Sequence, residues 1–285
     1  MHLFPEKKDY PKDFYYHRTS SPTYRKYLES CGLTIFDFGH APQYAWRKKL
    51  FWNFFWIVKF ERVDRIPDNK LIQKATGLKH ALVIWIPYST SKTEILSPWR
   101  KLWFTDHFEE TGFAEFKDGE AYNASWNDRA KRAQKKFEKS GAEVKLVTPE
   151  AFVESFKATK VKHWHKSVYI SYYKKMVSID ASKVRQWVAY SPDGVALAGL
   201  AAHDYIDTHS VHLVAFTNQK YYDTQAGTGV MAEWFRDSKE KWLRYLTIDH
   251  IRNKTGPNDQ KWYSEFKENF ISTRLSFREA YFRFF

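Results

Sequence analysis

The 285-residue sequence predicts an α/β fold with a mixed β-sheet and flanking helices. In its second half, helix-periodic segments alternate with short runs of β-branched and aromatic residues. Three such runs come in succession and a helical crossover leads to a fourth, which predicts both antiparallel and parallel strand pairs. A hydrophobic content of 43% is enough for a packed core. The length suits one large domain or two small ones.

The charge balance indicates the class of partner. A net charge of +13 favours RNA, phosphorylated intermediates or an acidic membrane surface, or else a basic surface that binds none of these. The lone cysteine, Cys31, excludes an internal disulfide and fits a reducing compartment. Neither a signal-peptide-like stretch nor a run of about 18 apolar residues occurs. We therefore expect a cytoplasmic protein, with peripheral contact at the inner membrane face as an alternative.

Residues 1–120 form the first predicted segment, which is aromatic and punctuated by proline. We expect a helix over Thr23–Ser30, a strand near Val58 and another strand over His80–Tyr88. The aromatic run Leu50–Phe60 has two interpretations. It is either a buried segment that continues into a strand, or a contact with an anionic membrane surface.

Residues 121–285 form the second predicted segment, which opens with a basic helix. Ser125 is the expected N-cap, apolar residues recur at helical spacing, and Gly141 ends the helix. The other face carries five basic residues: Arg129, Lys131, Arg132, Lys135 and Lys136. Arg129 and Arg132 are candidates for contacts with substrate phosphates, and a solvated helix face is the alternative.

Turns and caps place the remaining elements of the second segment. A strand is expected over 142–147, and the threonine and proline that open Thr148–Trp164 then predict a second helix. Ser191–Gly194 is a turn sequence between two apolar runs, so it predicts a β-hairpin. A third strand, His209–Phe216, leads through a glycine-containing loop to a helix over about Thr228–Lys241 and a final strand.

The glycine-containing loop is the main candidate binding site. In the stretch TQAGTG, two glycines directly precede the predicted helix. A helix N-terminus exposes unpaired N–H groups and the positive end of the macrodipole, and glycines let an anion approach the backbone. We therefore predict that substrate binds at Gln225, Ala226, Gly227, Thr228 and Gly229. Glycines that merely allow the chain to enter a helix are the alternative.

The order of elements and this loop resemble the GCN5-related N-acetyltransferase fold, whose pyrophosphate loop reads Gln/Arg-x-x-Gly-x-Gly/Ala. Here Thr224 stands at the first position, with a glutamine one place later. Within that fold, Tyr122–Phe285 resembles the FemAB-type aminoacyltransferases of peptidoglycan bridge formation. The ending EFKENF is the clearest match, through Phe266, Lys267 and Phe270. Family members often carry two copies of the fold, so residues 1–120 are expected to be a shortened first copy.

This resemblance implies an aminoacyltransferase that moves an amino acid from aminoacyl-tRNA to an amine of a peptidoglycan precursor. It implies no bound cofactor, and its partners are tRNA and a lipid-linked or nucleotide-linked muropeptide. Lys267 would neutralise phosphate or leaving-group charge and Phe266 would position it, whereas a solvated surface lysine is the alternative. Two rival functions keep the fold: acyl transfer from a coenzyme A thioester, and a non-catalytic RNA-binding or interaction protein.

Other polar residues are assessed from their own chemistry. Asp249 and His250 end a strand beside the expected crevice, so either is a candidate catalytic base. The alternative is that Asp249 binds backbone amides in a turn. His163 and His165 do not share a helix face, and no metal site is predicted there. Three further histidines on predicted strands are more typical of packing than of metal binding: His203, His209 and His212.

Overall fold

The computed structural model describes nine ranges of the chain: 18–37, 44–50, 55–63, 66–87, 99–102, 110–159, 166–251, 261–277 and 280–285. The chain divides into two compact units. The first comprises Met1–Glu110, Asn253–Thr255 and Leu275–Phe285, and the second comprises Thr111–Arg252 and Gly256–Arg274. The assignment of residues 121–285 to a transferase domain stays a prediction.

The first unit holds a six-stranded mixed sheet. Its elements are the helices α1 (Pro22–Ser30) and α2 (Asn69–Thr76) and the strands β1 (Thr34–Asp37), β2 (Tyr44–Leu50), β3 (Phe55–Glu61), β4 (Leu82–Ile86), β5 (Arg100–Lys101) and β13 (Tyr281–Phe284). The strand order is β1-β2-β3-β4-β13-β5. β3 and β4 are parallel, whereas β13 is antiparallel to both of its neighbours.

Local sequence explains the elements predicted in the first unit. Pro22 begins α1, and the Ser21 hydroxyl accepts the Tyr24 amide at 3.2 Å, so the predicted helix is confirmed. Both predicted strands are confirmed as β3 and β4. Val58 and Phe60 of β3 belong to the hydrophobic core, which makes this end of the aromatic run a buried strand. Residues 51–54 of that run lie outside the described residues.

The second unit holds a seven-stranded mixed sheet. Its elements are the strands β6 (Glu110–Glu115), β7 (Glu143–Leu146), β8 (Val184–Tyr190), β9 (Ala196–Ile206), β10 (His209–Thr217), β11 (Tyr245–Ile251) and β12 (Thr273–Ser276), and the helices α3 (Asp128–Glu138), α4 (Pro149–Ala158), α5 (Lys166–Asp180), α6 (Ala226–Glu240) and α7 (Lys261–Glu268). The strand order is β12-β6-β11-β10-β9-β8-β7. Strands β7 to β10 are antiparallel in succession, and α6 carries the chain to β11, which is parallel to β10. The predicted α/β fold, a mixed sheet with flanking helices, is confirmed.

Two local expectations in this unit are wrong. Asn127, not Ser125, caps α3: its side-chain oxygen accepts the Ala130 amide at 3.0 Å, while the Ser125 hydroxyl donates to the Phe270 carbonyl at 2.9 Å. The helix predicted over Thr148–Trp164 ends at Ala158, and α5 was not predicted as a separate helix. Residues 160–165, which include both histidines of that stretch, lie outside the described residues.

Aromatic side chains join the helices to this sheet. The ring of Trp126 meets Phe235 of α6 and Phe270 edge to face, with ring centroids 5.4 and 4.9 Å apart. Phe156 of α4 stacks on Phe216 of β10 with centroids 5.0 Å apart. The last contact holds α4 against β10, and Trp126 joins α6 to the residues that follow α7.

Two further findings concern the described residues alone. None of their helices combines the length and the apolar character needed to cross a membrane. Nor do their histidine, cysteine and acidic side chains form a group of three or more that could hold a metal ion.

Candidate functional site

The parallel strands β10 and β11 separate along their length. Their pairing runs through three residue pairs, from His209 opposite Tyr245 to Val211 opposite Thr247. Beyond this point β10 continues to Thr217 on β9 alone. We call the space between residues 212–217 and 248–251 the strand gap. It opens at the carboxyl ends of parallel strands, where open α/β sheets bind ligands.

The glycine loop lies at the end of β10 and turns into α6. Gln225 adopts a left-handed conformation, with φ of 60°, at the N-cap of α6. Its carbonyl accepts the amides of Thr228 and Gly229 at 2.9 and 3.2 Å. Those two amides are therefore already bonded within the helix. The first two amides of α6, those of Ala226 and Gly227, are the ones that a helix leaves without an intrahelical acceptor.

The two glycines of the loop have different roles. A Cβ atom at Gly227 would lie 3.6 Å from both the Phe266 ring and the Thr217 hydroxyl, which is ordinary contact distance. A Cβ atom at Gly229 would lie 2.5 Å from the Phe137 ring, which is not allowed without movement. Gly229 is therefore a packing residue between α3 and α6, and only Gly227 faces residues of the candidate site.

Helix α7 places Phe266 and Lys267 beside this loop. The half-buried ring of Phe266 lies 3.6 Å from the position that a Cβ atom at Gly227 would take, and it packs on Phe270 with centroids 4.9 Å apart. Lys267 is only 3% exposed, and its ammonium donates to the His250 carbonyl of β11 at 2.9 Å. The same ammonium lies 4.2 Å above the Tyr263 ring. The alternative of a solvated surface lysine does not fit this burial.

Asp249 and His250 lie on β11 at the strand gap. Asp249 has a φ of 61°, an uncommon conformation for a strand residue other than glycine. The Thr111 hydroxyl donates to its carbonyl at 3.0 Å, and its mostly buried carboxylate is 3.9 Å from the His250 imidazole. Left-handed residues at such positions re-aim a strand. Asp249 is the neighbour in sequence of His250, whose carbonyl accepts the Lys267 ammonium.

The predicted residues do not all meet at one place. Phe266 lies beside the position of Gly227, and Lys267 bonds to His250 of β11 at the strand gap. Asp249 lies on the same stretch of β11, but no contact recorded in the described residues joins its carboxylate to Phe266, Lys267 or Gly227. Arg129 and Arg132 lie on α3 with exposed side chains. No contact recorded in the described residues joins either arginine to the strand gap, so their part in substrate binding stays a prediction.

Three residues near the loop were missed in the sequence. Thr217 is the last residue of β10 and contacts the position of a Gly227 side chain. Tyr222 and Trp262 are exposed and face each other with ring centroids 6.2 Å apart. Partial burial raises the pKa of the Tyr222 hydroxyl above its ordinary value of about 10. Their nearness depends on how α7 packs, and spacing along the chain does not reveal it.

Solved structures with this arrangement of elements are known. The crystal structure of FemX superposes with a TM-score of 0.69 over 93% of each chain, at 10% sequence identity.

The chain has the FemX fold.

Two other solved structures show the FemX fold more distantly. L-PGS from Bacillus licheniformis gives a TM-score of 0.52 at 11% identity and covers 91% of this chain and 90% of its own. A C-terminal domain from Agrobacterium fabrum, assigned to a lysylphosphatidylglycerol synthetase, gives 0.52 at 9% identity over 92% and 87%. No protein-family model and no curated protein sequence matches the chain. The predicted resemblance to the FemAB type is therefore confirmed as a likeness of fold.

Proposed function

We propose that this protein is an aminoacyltransferase of the FemAB kind, which moves an amino acid from aminoacyl-tRNA to an amine of a peptidoglycan precursor. One observation carries the proposal. At the open end of two parallel strands, the first turn of α6 meets Phe266, and Phe266 is followed by the buried Lys267. The FemX fold supports the class of reaction, and the match of the EFKENF ending supports the donor. We place the reaction in the cytoplasm, where both substrates are made.

The reaction is the aminolysis of an ester. The acceptor nitrogen forms a bond to the acyl carbon, a tetrahedral oxyanion develops, and the bond from that carbon to the tRNA ribose oxygen breaks. The nitrogen loses a proton and the ribose oxygen gains one, so atoms and charge balance. Catalysis therefore requires hydrogen-bond donors for the oxyanion and a route for the proton.

The described residues supply groups of these kinds. The first amides of α6 point from the positive end of a 15-residue helix, which favours an anion. Lys267 brings a positive charge into a site with little water, where its interaction with a phosphate or an alkoxide is strong. Asp249 is the described carboxylate that we assign as the proton acceptor. None of these steps uses a metal ion or a covalent enzyme intermediate.

A transfer assay tests the proposal directly. The full-length protein is incubated with charged tRNA or with an acyl-coenzyme A, and with a nucleotide-linked or lipid-linked muropeptide. Phosphatidylglycerol is included as a third acceptor because of the fold shared with the domain assigned to lysylphosphatidylglycerol synthetase. We expect transfer from tRNA to a muropeptide. Transfer from the acyl-coenzyme A alone would show that tRNA is not the donor. The absence of transfer from either donor would favour the interpretation as a non-catalytic binding protein.

Lys267→Ala and a matched variant identify the site within this assay. Lys239 also donates its ammonium to a backbone carbonyl, that of Lys117 at 3.1 Å, but it lies near the end of α6 away from the loop. We expect Lys267→Ala to lower kcat by about 100-fold, the effect of removing one electrostatic contact to the transition state. Lys239→Ala should keep wild-type transfer. Equal activity of the two variants would remove Lys267 from the mechanism.

A further inference from the structure

We propose that Tyr222 and Trp262 form a stacking platform for the adenine base of the donor substrate. This inference rests on the proposed function, because it assigns a part of the donor to a surface beside the same site. Aminoacyl-tRNA ends in an adenosine and coenzyme A also contains one, so adenine is the chemistry that the two donors share. We call the two side chains the aromatic platform.

The platform is exposed although both of its members are large aromatic side chains. Tyr222 is 44% exposed and Trp262 is 53% exposed. Their rings meet at an interplanar angle of 68°, with centroids 6.2 Å apart. Because the rings are in edge-to-face contact with each other, a base cannot enter between them and would stack on an open ring face. Stacking on aromatic rings accepts any base, and purines offer the larger surface.

The platform lies next to the candidate site. Trp262 precedes Phe266 by four residues on α7, so the two side chains share a helix face and lie about 6 Å apart along the axis. The Phe266 ring lies beside Gly227 in the first turn of α6, 3.6 Å from where a Cβ atom would be, and Tyr222 lies three residues before Gln225, the N-cap of that helix. A nucleotide whose reactive end reaches the strand gap would therefore place its base over the platform.

The charges around the platform favour a base over an anionic surface. Lys220 and Lys261 flank it, but Asp223 and Glu265 are their close neighbours in sequence, and the Lys261 ammonium is 3.9 Å from the Glu265 carboxylate. These four charges sum to zero. These four residues therefore give no local excess of positive charge for an anionic membrane, and a neutral base needs none. Binding at the platform should therefore depend little on salt.

Binding of short nucleotides to the full-length protein tests the platform. The probes are a labelled single-stranded RNA that ends in CCA, the same RNA with an abasic ribose as its last residue, and coenzyme A. The variants are Trp262→Ala, Trp262→Phe and Tyr222→Ala. Trp242→Ala is the matched control, because Trp242 is 86% exposed and lies just beyond the far end of α6, about 22 Å from its first turn.

We expect Trp262→Ala to weaken binding of the CCA probe by about 5- to 150-fold, the effect of one base–aromatic stack. Trp262→Phe should retain most of the affinity, and Trp242→Ala all of it. The abasic RNA should bind the wild type as weakly as the CCA probe binds Trp262→Ala. The ratio between wild type and Trp262→Ala should stay the same at low and high salt.

Other outcomes separate the platform from the proposed function. If Trp262→Ala weakens the binding of coenzyme A and leaves the binding of the CCA probe unchanged, the platform is supported and the assignment of tRNA as the donor is wrong. If transfer from tRNA occurs but no probe distinguishes Trp262→Ala from Trp242→Ala, the platform is wrong and the proposed function stands. If Trp262→Ala abolishes binding to phosphatidylglycerol vesicles and leaves RNA binding unchanged, the surface is a membrane contact and the inference fails.

Discussion

The ring of Phe137 lies in the space that a side chain at residue 229 would need. A Cβ atom built on Gly229 would be 2.5 Å from the nearest carbon of that ring. This contact brings α3 and α6 close together. It explains one glycine of the TQAGTG stretch by packing and leaves the other, Gly227, facing Phe266.

Gly229→Ala should destabilise the protein. We expect the free energy of unfolding to fall by about 1–3 kcal/mol, because the methyl group overpacks the contact with Phe137. Urea denaturation of the two proteins measures the change. Adding Phe137→Leu, which removes ring atoms from the contact, should recover part of the loss. A double variant whose loss is the sum of the two single losses would show that the residues do not interact.

Gly227→Ala is the matched change on the same turn, and it should not destabilise. Its new methyl group meets only ordinary contacts at 3.6 Å, and alanine favours a helix over glycine by up to about 1 kcal/mol. Under the proposed function the methyl group narrows the approach to the first amides of α6, so KM for the donor should rise. The checks are a urea titration and the transfer assay. Wild-type KM in a stable variant would remove this turn from the donor site.

Arg185→Leu should destabilise the second unit strongly. The buried Arg185 guanidinium pairs with Asp204 at 2.6 Å and also with Asp237 of α6. Removing it leaves two carboxylates without their cation, at a loss of about 3–5 kcal/mol. The exposed pair of Lys157 and Glu154 provides the control: Lys157→Ala should leave the free energy of unfolding almost unchanged, because solvent screens this pair. If both variants lost similar amounts of unfolding free energy in urea, the ion pairs of Arg185 with Asp204 and Asp237 would have no special structural role.

Tyr173→Phe should change the response to high pH. The Tyr173 hydroxyl is buried without a hydrogen-bond partner among the described residues, and burial, with the nearby charge of Glu150, raises its pKa well above the usual value of about 10. The unfolded chain therefore releases this proton at lower pH than the folded protein does. The resulting loss of stability begins as pH rises above about 10 and is absent at neutral pH.

Urea denaturation at pH 7 and at pH 11 tests this expectation. Tyr173→Phe should match or exceed the wild type at pH 7 and should lose less stability at pH 11. Tyr190→Phe is the control, because the Tyr190 hydroxyl lies 3.1 Å from the Ser155 hydroxyl and its removal should lower stability by about 1 kcal/mol at pH 7. Parallel losses in the wild type and Tyr173→Phe would show that Tyr173 does not titrate as proposed.

Most elements of the second unit could be predicted because their causes are local. The Thr148 hydroxyl accepts the Ala151 amide at 3.3 Å, and Pro149 occupies the first turn, as the sequence of α4 indicates. The Ser191–Gly194 turn joins β8 to β9 as expected. The cap of α3 was misplaced by two residues because Ser125 and Asn127 are both good caps, and only the contact of Ser125 with Phe270 distinguishes them.

The pairing of β13 with β4 could not be predicted in the same way. Phe284 of β13 lies opposite Leu82 of β4, some two hundred residues earlier in the sequence. Nothing within a few residues of either strand selects the other, because any exposed strand edge offers the same backbone groups. For the same reason the sequence could not show that the C-terminal strand belongs to the first unit.

The sequence by itself determined the mixed α/β architecture, the helix that follows the glycine stretch and the resemblance of its ending to the FemAB type. The first two depend on caps, turns and periodicity, whose interactions span only a few residues, and the resemblance depends on the residues of the EFKENF ending. Tertiary structure alone decided that Gly229 packs on Phe137, that Lys267 is buried against β11, and that Tyr222 meets Trp262. Each of these depends on how separate helices pack on the sheet, because the partners come from distant parts of the chain.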